Sequence, residues 1–317
     1  MKSIFTKIRQ VAIVTRNTRE SVKNFADLLG IGPWSFYDFN PNSCKDMTID
    51  GERVDYAMAL AVCDIGNIQF EFCEPLDNKS LYAKFLIKQG EGLQHIAYAL
   101  DREYDEAVEY FKAKGITINQ SGYWHGCCNY NYLDSFKQFK HTVEFHRQDL
   151  DEIAKYQPNG VYPPENLDLR SKPILTDLVR VGLVVKDLDA TTKTYTDEFG
   201  IGPWSISEFN KDTVKDMKVY GETVNCSFKV ATVKIGDTEM ELIQPNDEKS
   251  IFAEFSRLSF MGEGFHHLAY KVDDFEKAKA RFRDIGVTIA QSGNKDGQEF
   301  IYYNSLNEFK HIIEICN

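Results

Sequence analysis

The sequence is poor in positive charge: 37 Lys and Arg against 48 Asp and Glu leave a formal net charge of −11. Sequence-independent binding to nucleic acid or to an anionic membrane needs an excess of Lys and Arg to displace counterions, so neither partner is expected. Long apolar runs are also missing. The opening stretch MKSIFTKIRQVAIVT is short and interrupted by charge, which predicts neither a secretory leader nor a membrane span, and therefore a cytoplasmic protein. There is no CxxC pair. The seven cysteines, odd in number and irregularly spaced, do not form the disulfide frame of a small secreted module, and buried reduced thiols are the expectation. Hydrophobic residues, by contrast, make up 43% of the chain, with 22 Phe and 16 Tyr to fill cores. At 317 residues the chain is too long for one ordinary core, and two domains are expected.

An internal repeat gives the same answer. GIGPW occurs at Gly30 to Trp34 and again at Gly200 to Trp204, a shift of 170 residues. That shift also carries Lys45-Asp46-Met47 onto Lys215-Asp216-Met217, Glu71 onto Glu241 and Pro75 onto Pro245. After a two-residue insertion, Gly90-Glu91-Gly92 falls on Gly262-Glu263-Gly264 and His95 on His267. Register then returns, with Phe139-Lys140-His141 and Glu144 matching Phe309-Lys310-His311 and Glu314. So many ordered matches imply duplication. Residues 149–176, holding four prolines and no sustained apolar period, read as a linker between domains 1–148 and 177–317.

Within each copy the pattern predicts a strand over Ile8 to Thr15, a helix over Thr18 to Leu29 ended by Gly30, and strands over Tyr56 to Val62 and Asn67 to Cys73. It then restarts with a strand at Leu93 to Leu100, a helix from Tyr104 to Lys114, and strands near Thr117, Asn129 to Leu133 and His141 to Phe145. The expected class is α+β: each domain is two βαβββ modules forming a curved eight-stranded half-barrel, with its cleft lined by inward side chains.

Four of the predicted strands of the first copy contribute Gln10, Glu71, His95 and Glu144. An amide oxygen, an imidazole and two carboxylates suit one borderline divalent ion, Zn, Mn, Co, Ni or Fe, better than calcium. The order GIGPW, Gly66 to Pro75 as G-x-x-x-x-E-x-x-x-P, GEGLQHIAY at Gly90 to Tyr98 and HTVEF at His141 to Phe145 resembles the vicinal-oxygen-chelate superfamily, in its branch of methylmalonyl-CoA epimerases and glyoxalase-like proteins. The resemblance implies metal ligands at Gln10, where the family has a His, and at Glu71, His95 and Glu144. In the second copy the same positions hold Arg180, Glu241, His267 and Glu314. Arg180 has no lone pair to give, so this second site reads as degenerate and metal-free, with Arg180 paired to Glu241 or Glu314 or holding an anion.

The resemblance further implies a metal-dependent isomerase, epimerase or lyase, working by proton abstraction beside a metal-chelated carbonyl of a small molecule with vicinal oxygens. Glu144 is expected to serve as ligand and base, with Asp55 as the opposing carboxylate. His146, two residues from Glu144 and on its face of the strand, is a candidate substrate contact. Trp124 and His125, in the aromatic segment Gly122 to Cys128, are candidates to shape the pocket. His141, His311 and His266 are expected to be structural, the last because strict alternation turns it away from His267. The rivals are a non-catalytic small-molecule-binding protein and a non-haem iron dioxygenase; the assembly expected is a monomer or homodimer.

Overall fold

The computed structural model describes residues 2–164 and 172–316; residues 165–171, within the expected linker, lie outside the described residues. The first half runs β1 (Phe5–Val14), α1 (Thr18–Leu29), β2 (Trp34–Phe39), β3 (Cys44–Ile49), β4 (Glu52–Arg53), β5 (Met58–Ile65), β6 (Ile68–Pro75), α2 (Leu81–Gln89), β7 (Gly92–Leu100), α3 (Tyr104–Ala113), β8 (Ile118–Trp124), β9 (Cys128–Leu133), α4 (Phe136–Phe139) and β10 (Thr142–Gln148). A short helix, α5 (Leu150–Ile153), and strand β11 (Gly160–Tyr162) follow. The second half runs β12 (Leu178–Val184), α6 (Leu188–Phe199), β13 (Ser205–Phe209), β14 (Val214–Val219), β15 (Glu222–Thr223), β16 (Phe228–Ile235), β17 (Thr238–Pro245), α7 (Ile251–Leu258), β18 (Gly264–Lys271), α8 (Phe275–Asp284), β19 (Thr288–Lys295), β20 (Gln298–Asn304), α9 (Leu306–Phe309) and β21 (Ile312–Cys316).

Each half is a curled half-barrel sheet. Its core is the expected eight strands, ordered β2-β5-β6-β1-β7-β10-β9-β8 in the first half, with β1 and β7 antiparallel at the centre. The sheets are wider than eight strands because each carries an inserted hairpin, β3–β4 or β14–β15, that crosses to the edge of the second module. In the first half β11 also adds to β2 at the opposite edge, giving eleven strands against ten.

Helix α1 shows how local signals fix the frame. The Asn17 side chain accepts from Glu20 N at the start, and Gly30 ends the helix in the left-handed region at φ 71°, which glycine adopts without a Cβ penalty. Val22, Phe25, Ala26 and Leu29 fall on one buried face, against Val11, Ile13, Phe70 and Phe72 of the sheet. The alternate residues of β1, Gln10, Ala12 and Val14, therefore face the other side of the sheet. That side is packed near α2 with Tyr56, Met58, Leu60, Cys73, Tyr82, Tyr130 and Tyr132.

One continuous apolar core runs through both halves. The contacts across it are reciprocal. Phe25 meets Phe309 edge-on at 5.2 Å, and Tyr195 meets Phe139 at 5.2 Å. Lys140 pairs with Glu263 at 3.4 Å, and Lys310 with Glu91 at 3.1 Å. At about 1.5–3 kcal/mol for each large side chain removed from water, such burial makes the halves a single cooperative body. None of the helices among the described residues is long and apolar enough to cross a membrane.

Candidate functional site

Strand register assembles the site. Across the sheet one row reads Glu71, Ala12, His95 and Thr142, and the next reads Gln69, Gln10, Ala97, Glu144 and Tyr132. Residues paired across strands share a face, so Glu71 and His95 flank the small Ala12, while Gln10 and Glu144 flank the small Ala97. All four polar side chains are buried, His95 completely.

His95 Nε2 lies 3.3 Å from Glu71 Oε2 and 3.0 Å from Glu144 Oε2. His95 Nε2, Glu144 Oε2 and Gln10 Oε1 nonetheless have no hydrogen-bond partner of good geometry among the described residues. Gln10 Nε2 donates to Gln69 Oε1 at 2.9 Å, which fixes the amide and leaves its oxygen free. Burial lowers the His95 pKa, but the Glu144 and Glu71 carboxylates outweigh it and raise it to about 9. Glu144 is held well below the usual carboxylate range: burial raises it, and His146 and His95 more than reverse that.

The other expected residues divide. His146 is part of the site, its Nε2 2.8 Å from Glu144 Oε1, and with Gln10 it lines an open cavity of about 440 Å³. Asp55 is not. It sits before β5 with a largely exposed side chain 3.8 Å from Arg53, while its neighbour Tyr56 turns inward to bond Tyr130 Oη and the Ser121 carbonyl. His125 is exposed at the β8–β9 turn, at φ 45°, stacked on Tyr156 at 4.2 Å. Trp124, at the end of β8, stacks on Phe39 of β2 at 5.3 Å and pairs with Cys44 of β3. His141 and His311 hold structure: each bonds a buried tyrosine hydroxyl, of Tyr98 or Tyr270, and a local carbonyl.

Three participants escaped sequence reasoning. Cys73 donates its thiol to Glu71 Oε2 at 3.1 Å, and burial followed by Glu71 holds its pKa well above the ordinary value, so it remains a protonated donor. Tyr132 packs edge-on against His95 at 4.9 Å. Gln94 Oε1 lies 2.5 Å from His95 Nδ1. Period-two alternation through Gln69, Glu71 and Cys73 was the available signal for the first; Gln94 breaks alternation.

The second half places Glu241, Gly182, His267 and Ile312 in one row and Glu239, Arg180, Ala269, Glu314 and Tyr302 in the next. Glu241, His267 and Glu314 bring ligand atoms within 4.8 Å of one another, as do Glu71, Cys73 and His95 in the first half. Here, however, Arg180 Nη1 donates to both Glu314 oxygens, at 3.1 and 3.2 Å, with Glu239 at 3.5 Å and Glu241 at 4.0 Å. Glu314 chiefly holds the guanidinium charged. A Cβ on Gly182 would lie 1.9 Å from His267 Cε1, so the imidazole rests directly on the glycine backbone. His266 Nδ1 also reaches His267 Nδ1, at 3.1 Å. A bulge, in which Gly182 pairs with His267 and Leu183 with Phe265, breaks the alternation that would have turned His266 away.

A triple mutant of 4-hydroxymandelate synthase from Streptomyces coelicolor superposes with a TM-score of 0.64 at 15% identity, covering 98% of this chain and 92% of that one. A fusion protein of a xylose isomerase-like TIM barrel and 4-hydroxyphenylpyruvate dioxygenase superposes at 0.57 and 12% identity, covering 99% of this chain and 49% of that one. Methylmalonyl-CoA epimerase from Mycobacterium tuberculosis aligns at 22% identity over 46% of this chain and 90% of that one, with a TM-score of 0.36. Among curated protein sequences nothing matches. The family model described as Glyoxalase/Bleomycin resistance protein/Dioxygenase superfamily matches residues 9–130 and again 180–303, both sheets in turn. The chain belongs to this superfamily, the vicinal-oxygen-chelate proteins, with one copy of its domain in each half.

Proposed function

We propose that the first half holds one divalent metal ion through Gln10, Glu71, His95 and Glu144, and that the protein is a metal-dependent isomerase or lyase of the glyoxalase kind. The observation that carries this reading is the meeting of three buried atoms with no hydrogen-bond partner among the described residues, Gln10 Oε1, His95 Nε2 and Glu144 Oε2, where the second half has the Arg180 guanidinium. Leaving buried polar atoms unmade costs about 1–3 kcal/mol each, more when charged, and a cation removes that cost. The donor set fits Zn, Mn, Co, Ni or Fe. Bound there, such an ion supplies Lewis acidity to two neighbouring oxygens of a small-molecule substrate.

The protein's own residues then handle the proton. Glu144 is ionised at working pH and can accept one; His146, 2.8 Å away and partly exposed beside the cavity, can carry it on or return it. Asp55, the expected opposing carboxylate, lies outside the site with an exposed side chain. One-base transfer between adjacent carbons therefore suits the geometry better than two-base epimerisation. The test is solvent deuterium exchange, followed by NMR, into CoA esters, hemithioacetals and keto sugars. Metal-dependent exchange lost in Glu144→Gln is expected, and no exchange with any loaded metal contradicts the reading.

A second reading is a non-haem iron dioxygenase. Its support is the whole-chain superposition on 4-hydroxymandelate synthase, a likeness of fold. The single imidazole of the donor set weighs against it. Fe(II)-dependent oxygen uptake with an aromatic diol or keto acid, without deuterium exchange, would favour it. A chain that binds no metal would instead be a small-molecule-binding member of the fold.

A further inference from the structure

Gln94 is the extra residue of a β-bulge. In β7, His95 pairs with Ala12 but Leu93 with the next residue, Ile13, so Gln94 has no partner on β1 and its side chain is re-aimed. Its Oε1 lies 2.5 Å from His95 Nδ1, and its Nε2 donates to Thr142 Oγ1 at 3.3 Å. Thr142 is itself paired with His95 on the neighbouring strand. In this arrangement the amide turns its oxygen to the imidazole and its nitrogen to Thr142. An amide oxygen can only accept, so the proton of a singly protonated His95 must sit on Nδ1 and its lone pair on Nε2. Nε2 is the atom that faces Glu71 and Glu144.

The second half has the same bulge but different chemistry. His266 stands for Gln94 and Ile312 for Thr142. An imidazole can donate or accept, and Ile312 cannot hold it in either sense. His266 is kept neutral, its pKa pushed well down by burial and then by His267. The two substitutions go together: the half with Gln10 has an acceptor facing its histidine and a hydroxyl bonded to that amide, and the half with Arg180 has neither.

We infer that Gln94, held by Thr142, is a positioning residue that sets the tautomer and ring orientation of His95 for metal ligation. This rests on the metal reading above. Loss of such an outer partner typically weakens metal binding about 10- to 100-fold.

The test is the Zn(II) and Co(II) dissociation constant of the full chain, by chelator competition, with the Co(II) absorption spectrum as a second readout. Gln94→Leu is expected to weaken binding by about 10- to 100-fold and to alter the spectrum. Gln94→Glu, which restores an acceptor, should bring both back to near the wild type. Thermal unfolding identifies any variant that fails to fold, and the Glu variant separates lost acceptance from lost packing. Wild-type affinity in Gln94→Leu, or failure of Gln94→Glu to rescue a folded protein, overturns the inference while leaving the metal reading intact. A wild type that binds neither ion overturns both.

Discussion

The two halves bury matching glutamates and histidines in matching rows and neutralise them by different means. In the second half the positive charge is covalent: Arg180 sits on Glu314 with two hydrogen bonds, and His267 lies between Glu241 and Glu314. In the first half Gln10 stands at the arginine position, and the oxygen it presents lacks a partner. In the second half the Arg180 guanidinium supplies a fixed charge beside the carboxylates, although Arg180 Nε, Glu241 Oε2 and His267 Nε2 lack a hydrogen-bond partner among the described residues. An amide in that place brings no fixed charge, and on the proposed reading a cation from outside supplies it. On that reading one fold carries an internally charged site and a receptive one, which differ at Gln10 and Arg180 and also at Gln94 and His266, Thr142 and Ile312, and Ala12 and Gly182.

The sharpest way to break the comparison is to remove the shared histidine from each half. His95→Ala should abolish metal binding and any metal-dependent turnover, whereas His267→Ala should leave both nearly unchanged; elemental analysis and deuterium exchange read the two. Equal losses would mean that the halves are not specialised. Next in size is Arg180→Leu, which leaves the buried Glu314 and Glu241 to share His267 alone. It should destabilise the protein by about 3–5 kcal/mol in urea unfolding, and Gln10→Leu by clearly less. Smaller again is Gly182→Ala, whose Cβ would overlap His267 and should cost about 1–3 kcal/mol. The reciprocal Ala12→Gly should cost about 0.5–1 kcal/mol, from backbone freedom.

The smallest effect concerns what the halves share. Burial lowers His141 to about 3 and His311 to about 4. In the unfolded chain both take up a proton near the ordinary value of about 6.5. Their contribution to stability is thus full above that pH and is lost as pH falls toward 4 and then 3. Unfolding midpoints measured against pH should decline over this window, and His141→Gln or His311→Gln should each flatten the decline.

How much of this was legible in the sequence follows from the kind of signal. GIGPW, the helix-capping glycines and the 170-residue shift are local or repetitive, and they fix two βαβββ modules per half. Glu71, His95 and Glu144 meet in space because register brings their strands together, and only a family resemblance could have picked them from the sequence. Asp55 was misplaced because β5 starts at Met58; in the irregular stretch before it, Tyr56 is the inward side chain. Trp124 and His125 were drawn to the pocket by composition, yet the turn aims them at Phe39 and Tyr156. Helix α2 was missed because its nine residues bury only Tyr82 and Ala83. Gln94 and His266 were hidden by the assumption of unbroken alternation, and a bulge has no sequence signature of its own here.

The most direct measurement is metal content per chain, by elemental analysis, of protein purified without nickel or chelator and then equilibrated with a divalent ion. It should be made on the wild type, Gln10→Arg and Arg180→Gln. About one ion, none and about two is the predicted result, since each substitution exchanges the amide and the guanidinium that distinguish the two donor sets. The same content in all three proteins, or none in any, would contradict it.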